Sequence, residues 1–222
     1  RDVYKRQRLE PGKYIAGLWQ HDIALQLGWF VNSWVRTTSR RWKYPENVDI
    51  LGPTFSWSSH VRPLKIGARS ISRDICTLES FDVDLATSNP YGQVRYAALC
   101  LRGWVMSGDD MIAWPKAPSS EVRGFRAVVC LDSGVRFSFD RFGSICSDDD
   151  QCVKLDIDVN WEHVICFALY EYELWITKDL VDALVLQPSK TGAGVYVRIG
   201  LARRLQNSWF EKSAVVSTVT IV

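Results

Sequence analysis

Gly52-Pro53-Thr54-Phe55-Ser56-Trp57-Ser58-Ser59, with Tyr44-Pro45 a few residues upstream, is the stretch around which the rest of the chain is organised. Phe55 and Trp57 lie two apart, with Thr54, Ser56 and Ser58 interleaved, and side chains of period two fall on opposite faces of a strand. The pattern predicts a core strand. Pro53 stands at its start, where a missing N–H does least harm to a sheet, and Gly52 fits the turn before it. Each aromatic can bury roughly 150 to 250 Å², an upper bound of about 4 to 6 kcal/mol apiece. The stretch holds no His, Asp, Glu, Lys, Arg or Cys, so it speaks to architecture and not to chemistry.

Downstream of Gly52 the apolar period stays near two, in short runs parted by turn residues. Phe81-Asp82-Val83-Asp84-Leu85 alternates strictly, and Ser88-Asn89-Pro90-Tyr91-Gly92 breaks it with turn chemistry. Val94 to Met106 predicts a long strand bent at Gly103. Phe125 to Leu131 and Val135 to Phe139 flank Asp132-Ser133-Gly134, a hairpin signal. Further strands are expected at Val153 to Val159, His163 to Thr177, Val181 to Gln187 and Val195 to Arg203, then a short helix near Trp209 to Lys212 and a last strand from Val215 to Val222. Upstream, Ile15, Leu18, Trp19, Ile23, Leu27 and Phe30 form a 3.6-period stripe opposed by Gln20, His21 and Gln26, which predicts an amphipathic helix over Ile15 to Val31. The fold class expected is therefore mainly β: an antiparallel barrel or sandwich of about nine or ten strands with one N-terminal helix. Residues 1–13 fit nothing that follows and read as a scar of sequence assembly or a disordered start. Residues 14–50 form the helix and a loop, and residues 51–222 the β-rich domain.

A chain of 222 residues supports one sizeable core. Hydrophobic residues at 47% and charged residues at 23% are globular values and argue against disorder. A formal charge of +2, from 27 basic and 25 acidic residues, gives no electrostatic reason to expect nucleic acid or a membrane as partner. No apolar run reaches the ~18 residues of a membrane-spanning helix, and a signal peptide's apolar core is not visible, so the expectation is a cytoplasmic protein. The six cysteines show no CxxC spacing and read as buried, reduced thiols. Ten tryptophans are several times the usual share and favour strands and interfaces.

Read in order, these motifs resemble the C-terminal half of fungal heterokaryon incompatibility (HET) domain proteins. Tyr14, then Ala16-Gly17-Leu18-Trp19 and Leu27-Gly28-Trp29, look like the family's tyrosine, alanine-glycine-leucine-tryptophan and leucine-leucine-tryptophan elements. Arg41, Tyr44, Pro45 and Ser56-Trp57-Ser58-Ser59 are similar to its arginine, tyrosine, proline and serine-tryptophan signature. Ala86-Thr87-Ser88, Pro90-Tyr91-Gly92 and Leu101-Arg102-Gly103 look like its next stretch, and Tyr196-Val197-Arg198-Ile199-Gly200-Leu201 and Thr220-Ile221-Val222 its last. Two departures are visible: Phe55 stands where the family has its first tryptophan, and residues 42–52 are longer and more polar than the family's gap. The N-terminal part of the HET region, which carries the family's own signature motifs, is not in this chain. Residues 14–50 would be the tail of that region. The resemblance implies a role in nonself recognition and programmed cell death in filamentous fungi, with the upstream HET domain of the same protein as partner and other proteins or self-association beside it. The stripe of the predicted helix is expected to bridge to that upstream domain.

Candidate chemistry is sparse. Asp148-Asp149-Asp150 reads as a solvated hairpin tip rather than a cation loop, because the wider oxygen-ligand pattern is missing. Thr191-Gly192-Ala193-Gly194 has no Lys-Ser or Lys-Thr after it and reads as a turn rather than a phosphate cradle. Cys166 and His163 lie three apart on a strand and point to opposite faces, so they cannot pair locally. Glu171 and Glu173 share a face, as glycoside-cleaving carboxylates would, but such a pair is more often a strand's solvent side. Arg40-Arg41-Trp42-Lys43-Tyr44 interleaves cations with aromatics in one short run only. No catalytic residue, cofactor or metal is expected. The alternative is a Trp-rich carbohydrate-binding β module, with Trp161, Trp175 and Trp209 as the aromatics to consider, and a hydrolase is the weakest reading.

Overall fold

In a computed structural model, residues 13–31, 52–59, 64–66, 71–89, 91–113, 128–131, 136–139, 145–146, 163–174 and 177–222 are described. The chain is mainly β. A small hairpin, β1 (Tyr14–Ile15) and β2 (Leu18–Trp19), leads through a single 3-10 turn into α1 (Ile23–Leu27) and β3 (Trp29–Val31), which pairs with β4 (Leu64–Ile66). Then come β5 (Ile71–Asp74), β6 (Thr77–Leu85), β7 (Val94–Ser107), α2 (Gly108–Ala113), β8 (Val128–Leu131), β9 (Arg136–Phe139) and β10 (Ile145–Cys146). The chain closes with β11 (Ile165–Leu174), β12 (Thr177–Pro188), β13 (Val195–Gln206), α3 (Asn207–Ser213) and β14 (Val215–Ile221).

Five of these strands close a ring, β7-β11-β12-β13-β14 and back to β7, so the sheet is a barrel. Four of the five seams are antiparallel, and the fifth, between β13 and β14, is parallel. Outside the ring, β8, β9 and β10 extend from β13, while β5 pairs with β11 and β6 with β7. The strands expected over 81–85, 94–106 and 215–222 and the short helix expected near 209–212 correspond to β6, β7, β14 and α3. Gly103 sits where β7 changes neighbours: its partner is β6 up to Arg102 and β11 from Val105 onward. A Cβ at Gly103 would stand 2.9 Å from Phe167 Cζ and 3.2 Å from Cys76 Cβ, so the crossing has room for glycine only.

β11 and β12 are buried on both faces, which is why their sequences read as nearly continuous apolar runs. Phe167, Leu169, Leu184 and Leu186 join one core with Leu99, Leu101 and Ile221. Cys166, Ala168, Val181, Ala183 and Val185 join a second with Met106 and with Trp209 and Phe210 of α3.

Three expectations need correction. Ile15 to Val31 is not one helix: Ala16 and Gly17 have φ of 46° and 98°, the left-handed pair of a two-residue hairpin turn, and the α-helix is confined to Ile23–Leu27. Gly28 ends it, its N–H donating to the Leu25 carbonyl at 3.0 Å. Second, the apolar stripe does not await an upstream domain. Ile15, Leu18, Ile23, Ala24, Leu27 and Phe30 are buried in the first barrel core, because hairpin and helical turn both lay their apolar side on the same sheet. Third, Gly52–Ser59 is not a strand. Ser56 N–H donates to the Pro53 carbonyl, and Trp57–Ser59 form a 3-10 turn, so Phe55 is buried while Trp57, two residues on, is 43% exposed. Ser56 is fully buried where a strand would expose it. Serines that bond their own backbone compete with a sheet ladder, and here they win.

Candidate functional site

Arg198 on β13 is the residue on which the N-terminal segment is hung. It is 4% exposed, and it stands opposite Leu186 just past a break in the β12–β13 register. Its guanidinium donates through Nη1 to the Leu27 carbonyl at 2.6 Å and through Nη2 to the Trp29 carbonyl. These are carbonyls at and just beyond the end of α1, which the short helix leaves without intrahelical donors and which a cation satisfies well. The same group lies 3.4 Å from the centre of the Trp29 ring, a desolvated cation–π contact worth about 2 kcal/mol.

The 52–59 stretch completes the joint. Arg198 N–H donates to Thr54 Oγ1 at 3.0 Å, and the Thr54 hydroxyl donates in turn to the Val222 carbonyl oxygen. Trp29 Nε1 donates to the Phe55 carbonyl at 2.9 Å, and Trp57 Nε1 to the Gly17 carbonyl at 2.6 Å. Ser56, Ser58 and Ser59 bond among themselves: Ser58 N–H donates to Ser56 Oγ at 3.1 Å, and the Ser59 hydroxyl to the Ser56 carbonyl at 2.7 Å. They stiffen a turn. Thus Gly17, Trp29, Ser56, Trp57 and Arg198, quoted from four separate stretches, meet in one joint.

Beside it lies a buried carboxylate that pattern reading missed. Asp182 is fully buried in β12 opposite a bulge in β13, where Arg203 and Arg204 together face it between the register pairs of Val181 and Ala183. It accepts from Tyr172 Oη at 2.9 Å, Tyr170 Oη at 3.3 Å, Arg203 Nε at 3.3 Å and the Arg204 N–H at 3.0 Å. Arg204 has φ of 61°, the turn in backbone that aims its N–H at a side chain. Two of the donors also touch the N-terminal segment: the Arg203 guanidinium lies 4.1 Å from the Phe30 ring centre, and Tyr170 packs against Gly28. One signal was available: Asp182 is the lone charge in the apolar run Leu180 to Leu186, and a charge so placed must be paired.

On the surface, Tyr14 meets Trp19 at 5.2 Å and Tyr91 at 5.1 Å between ring centres, inclined at 67° and 65°. Burial, and then the neighbouring Tyr91, hold the Tyr14 hydroxyl above the usual tyrosine range. Both pairs have the edge-to-face geometry that aromatic rings prefer.

The other named residues scatter. Leu101 is core, and Gly92 closes the turn after β6, its N–H on the Asn89 carbonyl at 2.9 Å. Arg102 is exposed, 3.9 Å from Glu79, Tyr196 packs on the first core, and Gly200 lies between Val185 and Leu131. Arg41, Tyr44, Pro45 and Pro90 lie outside the described residues, as do Asp148 to Asp150, Arg40 to Tyr44, Val153 to Val159, Trp161 and Trp175. Trp209 is a core residue.

Among the described residues, the pairs weighed above as candidate chemistry are not brought together as reacting groups. His163 is exposed ahead of β11, whereas Cys166 is fully buried in the second core, its thiol pushed up to about 12 by burial, far from a nucleophile's range. Glu171 is held by Arg73 at 2.8 Å. Gly194, with φ of 74°, makes Thr191 to Gly194 the tight turn between β12 and β13. Among the described residues no three His, Cys, Asp or Glu side chains could jointly hold a metal, and no helix is long and apolar enough to cross a membrane. Compared with known proteins, the chain matches no family model and gives no significant match to a curated protein or a solved structure.

Proposed function

We propose that this chain is the β-rich downstream module of a HET-type protein of filamentous fungi. On this reading it serves nonself recognition and programmed cell death without catalysing a reaction, by packing on the upstream HET region and binding other proteins in the cytoplasm. The observation that carries it is the joint. Gly17, Trp29, Ser56, Trp57 and Arg198 belong to motifs that resemble the family in order, and residues 171 positions apart, such as Leu27 and Arg198, hydrogen-bond within it. An ordered motif set held together by one packing unit is what a shared structure would require; scattered coincidences would carry no such relation.

Because the apolar face of residues 15–30 is already used within the barrel, the contact surface falls instead to the exposed aromatics. Tyr91 and Trp57 are 45% and 43% exposed, and Tyr14 and Trp19 are half-buried beside them. Tyrosine and tryptophan dominate the centres of protein interfaces, where they bury large area at low entropic cost. The test is titration calorimetry of this chain against the upstream segment encoded in frame with it, produced separately. Tyr91→Ser, a change in the turn after β6, is expected to weaken binding at least tenfold, while the lost edge-to-face contact with Tyr14 lowers stability by no more than about 1.5 kcal/mol in urea unfolding. An absence of binding, or binding indifferent to Tyr91, would sink the proposal.

A further inference from the structure

We infer that residues 52–59 are a strap across the weakest seam of the barrel, and that the N-terminal segment and this seam open as one unit. β14 pairs with β7 along its whole length, but with β13 only at Val195↔Thr220 and Tyr196↔Ile221. The hydrogen bonds of this short ladder include the Thr220 N–H on the Gly194 carbonyl at 3.3 Å and the Val222 N–H on the Tyr196 carbonyl at 3.0 Å. Where the ladder stops, Thr54 takes its place. One hydroxyl receives the Arg198 N–H of β13 and donates to Val222 at the end of β14, so a side chain from residues 52–59 stitches the two strands.

The stitch is tied to the segment at three further points. Phe55 accepts from Trp29, Trp57 donates to Gly17, and Arg198, whose own N–H is in the stitch, holds the Leu27 and Trp29 carbonyls with its guanidinium. These bonds close a loop: seam to Thr54, Thr54 through Phe55 to Trp29, Trp29 to Arg198, and Arg198 back to the seam. Lifting the segment strips Arg198 of its acceptors and pulls Phe55, which moves Thr54 out of the seam. Opening the seam releases Arg198 and with it the segment. Such a unit opens below the free energy of global unfolding. A partner that displaces residues 13–31 would thereby free the edges of β13 and β14, a conformational switch of the order–disorder kind.

Residue-resolved amide hydrogen exchange on the full chain tests this with two mild variants. Trp29→Phe removes the bond to Phe55 but keeps a ring under Arg198, and Thr54→Val removes the hydroxyl at constant shape. Trp29→Phe is expected to speed exchange at Arg198, Thr220 and Val222 about tenfold, although Trp29 makes none of their hydrogen bonds. Thr54→Val is expected to speed exchange at Gly28 by a similar factor, with Leu184 and Val185 of β12 unchanged in both. If each variant loosens only its own side, the two do not open together and the inference falls. If Leu184 and Val185 accelerate equally with the rest, opening is global unfolding and no strap exists. Both readouts are internal to the chain and leave the proposed role untouched.

Discussion

Gly28→Ala should destabilise the protein even though the backbone there suits alanine. Gly28 has φ of −75° and ψ of 19°, and at such a position removing glycine normally stabilises by about 0.4 to 1 kcal/mol through the unfolded state. The surroundings reverse the sign. A Cβ would collide with the Tyr170 hydroxyl and would lie 3.0 Å from Tyr170 Cε1 and 3.1 Å from the Leu25 carbonyl oxygen. Tyr170 is fixed in the core, so relieving the clash costs about 1 to 3 kcal/mol as overpacking. It also loosens the hydrogen bond to Asp182, about 1 kcal/mol more. The net expectation is a loss of about 2 kcal/mol, read from urea unfolding followed by tryptophan fluorescence. Tyr170→Phe removes the nearest clashing atom, costs about 1 kcal/mol alone, and leaves Asp182 its other three donors. In that background Gly28→Ala should cost at least 1 kcal/mol less than in the parent, a coupling that only direct contact explains. A neutral or stabilising Gly28→Ala, or effects that simply add, would refute the packing of the segment on Tyr170.

Gly17→Ala meets both a φ of 98° and a Cβ 2.9 Å from Ser56 Oγ, and is expected to lower stability by about 1 to 3 kcal/mol in the same assay. Asp182→Asn keeps the shape but removes the charge facing Arg203 and two tyrosine hydroxyls; the expected loss is about 3 kcal/mol, and a change under about 1 kcal/mol would contradict the network. Cys166 supplies a pH test. Its folded thiol titrates at about 12 against an ordinary 9.0, so its contribution to stability is complete below pH 9 and is lost as pH rises toward 12. Stability of the parent should therefore fall faster than that of Cys166→Ala over this window, by up to about 1.4 kcal/mol per pH unit, and parallel curves would place the thiol in contact with water. Cys76, pushed up to about 12 by burial and then by Asp74, and Cys166 should both resist alkylation at pH 8 in the folded protein, as peptide mapping would reveal.

The strands were legible where one physical signal dominates, the alternation of Phe81 to Leu85 or the continuous apolar character of Ile165 to Tyr170. The N-terminal segment misled for a definable reason. Apolar residues at 15, 18, 19, 23, 27 and 30 satisfy a helical period, yet a hairpin followed by one short helix buries almost the same set. The evidence against a helix lay in Gly17 and Gly28, at the turn and at the helix end. Residues 52–59 misled in the opposite sense: the alternation of aromatics with serines was genuine, but the serines bond their own turn, and only Phe55 enters the core. Importance was readable there, conformation was not. The joint could not have been assembled from sequence, since Leu27 and Arg198 are brought together only by barrel closure. Asp182 was visible as a lone charge in an apolar run, but its partners come from β11 and β13 and follow from register alone.

The most direct test of the proposed identity is to read the coding sequence upstream of the Leu9 codon in the source material. The account predicts an α/β HET segment in frame, which would make this barrel its downstream module and assign the cell-death role to the whole protein. A start codon immediately before Leu9 would contradict that, leaving a barrel that stands alone and makes its contacts without a HET region.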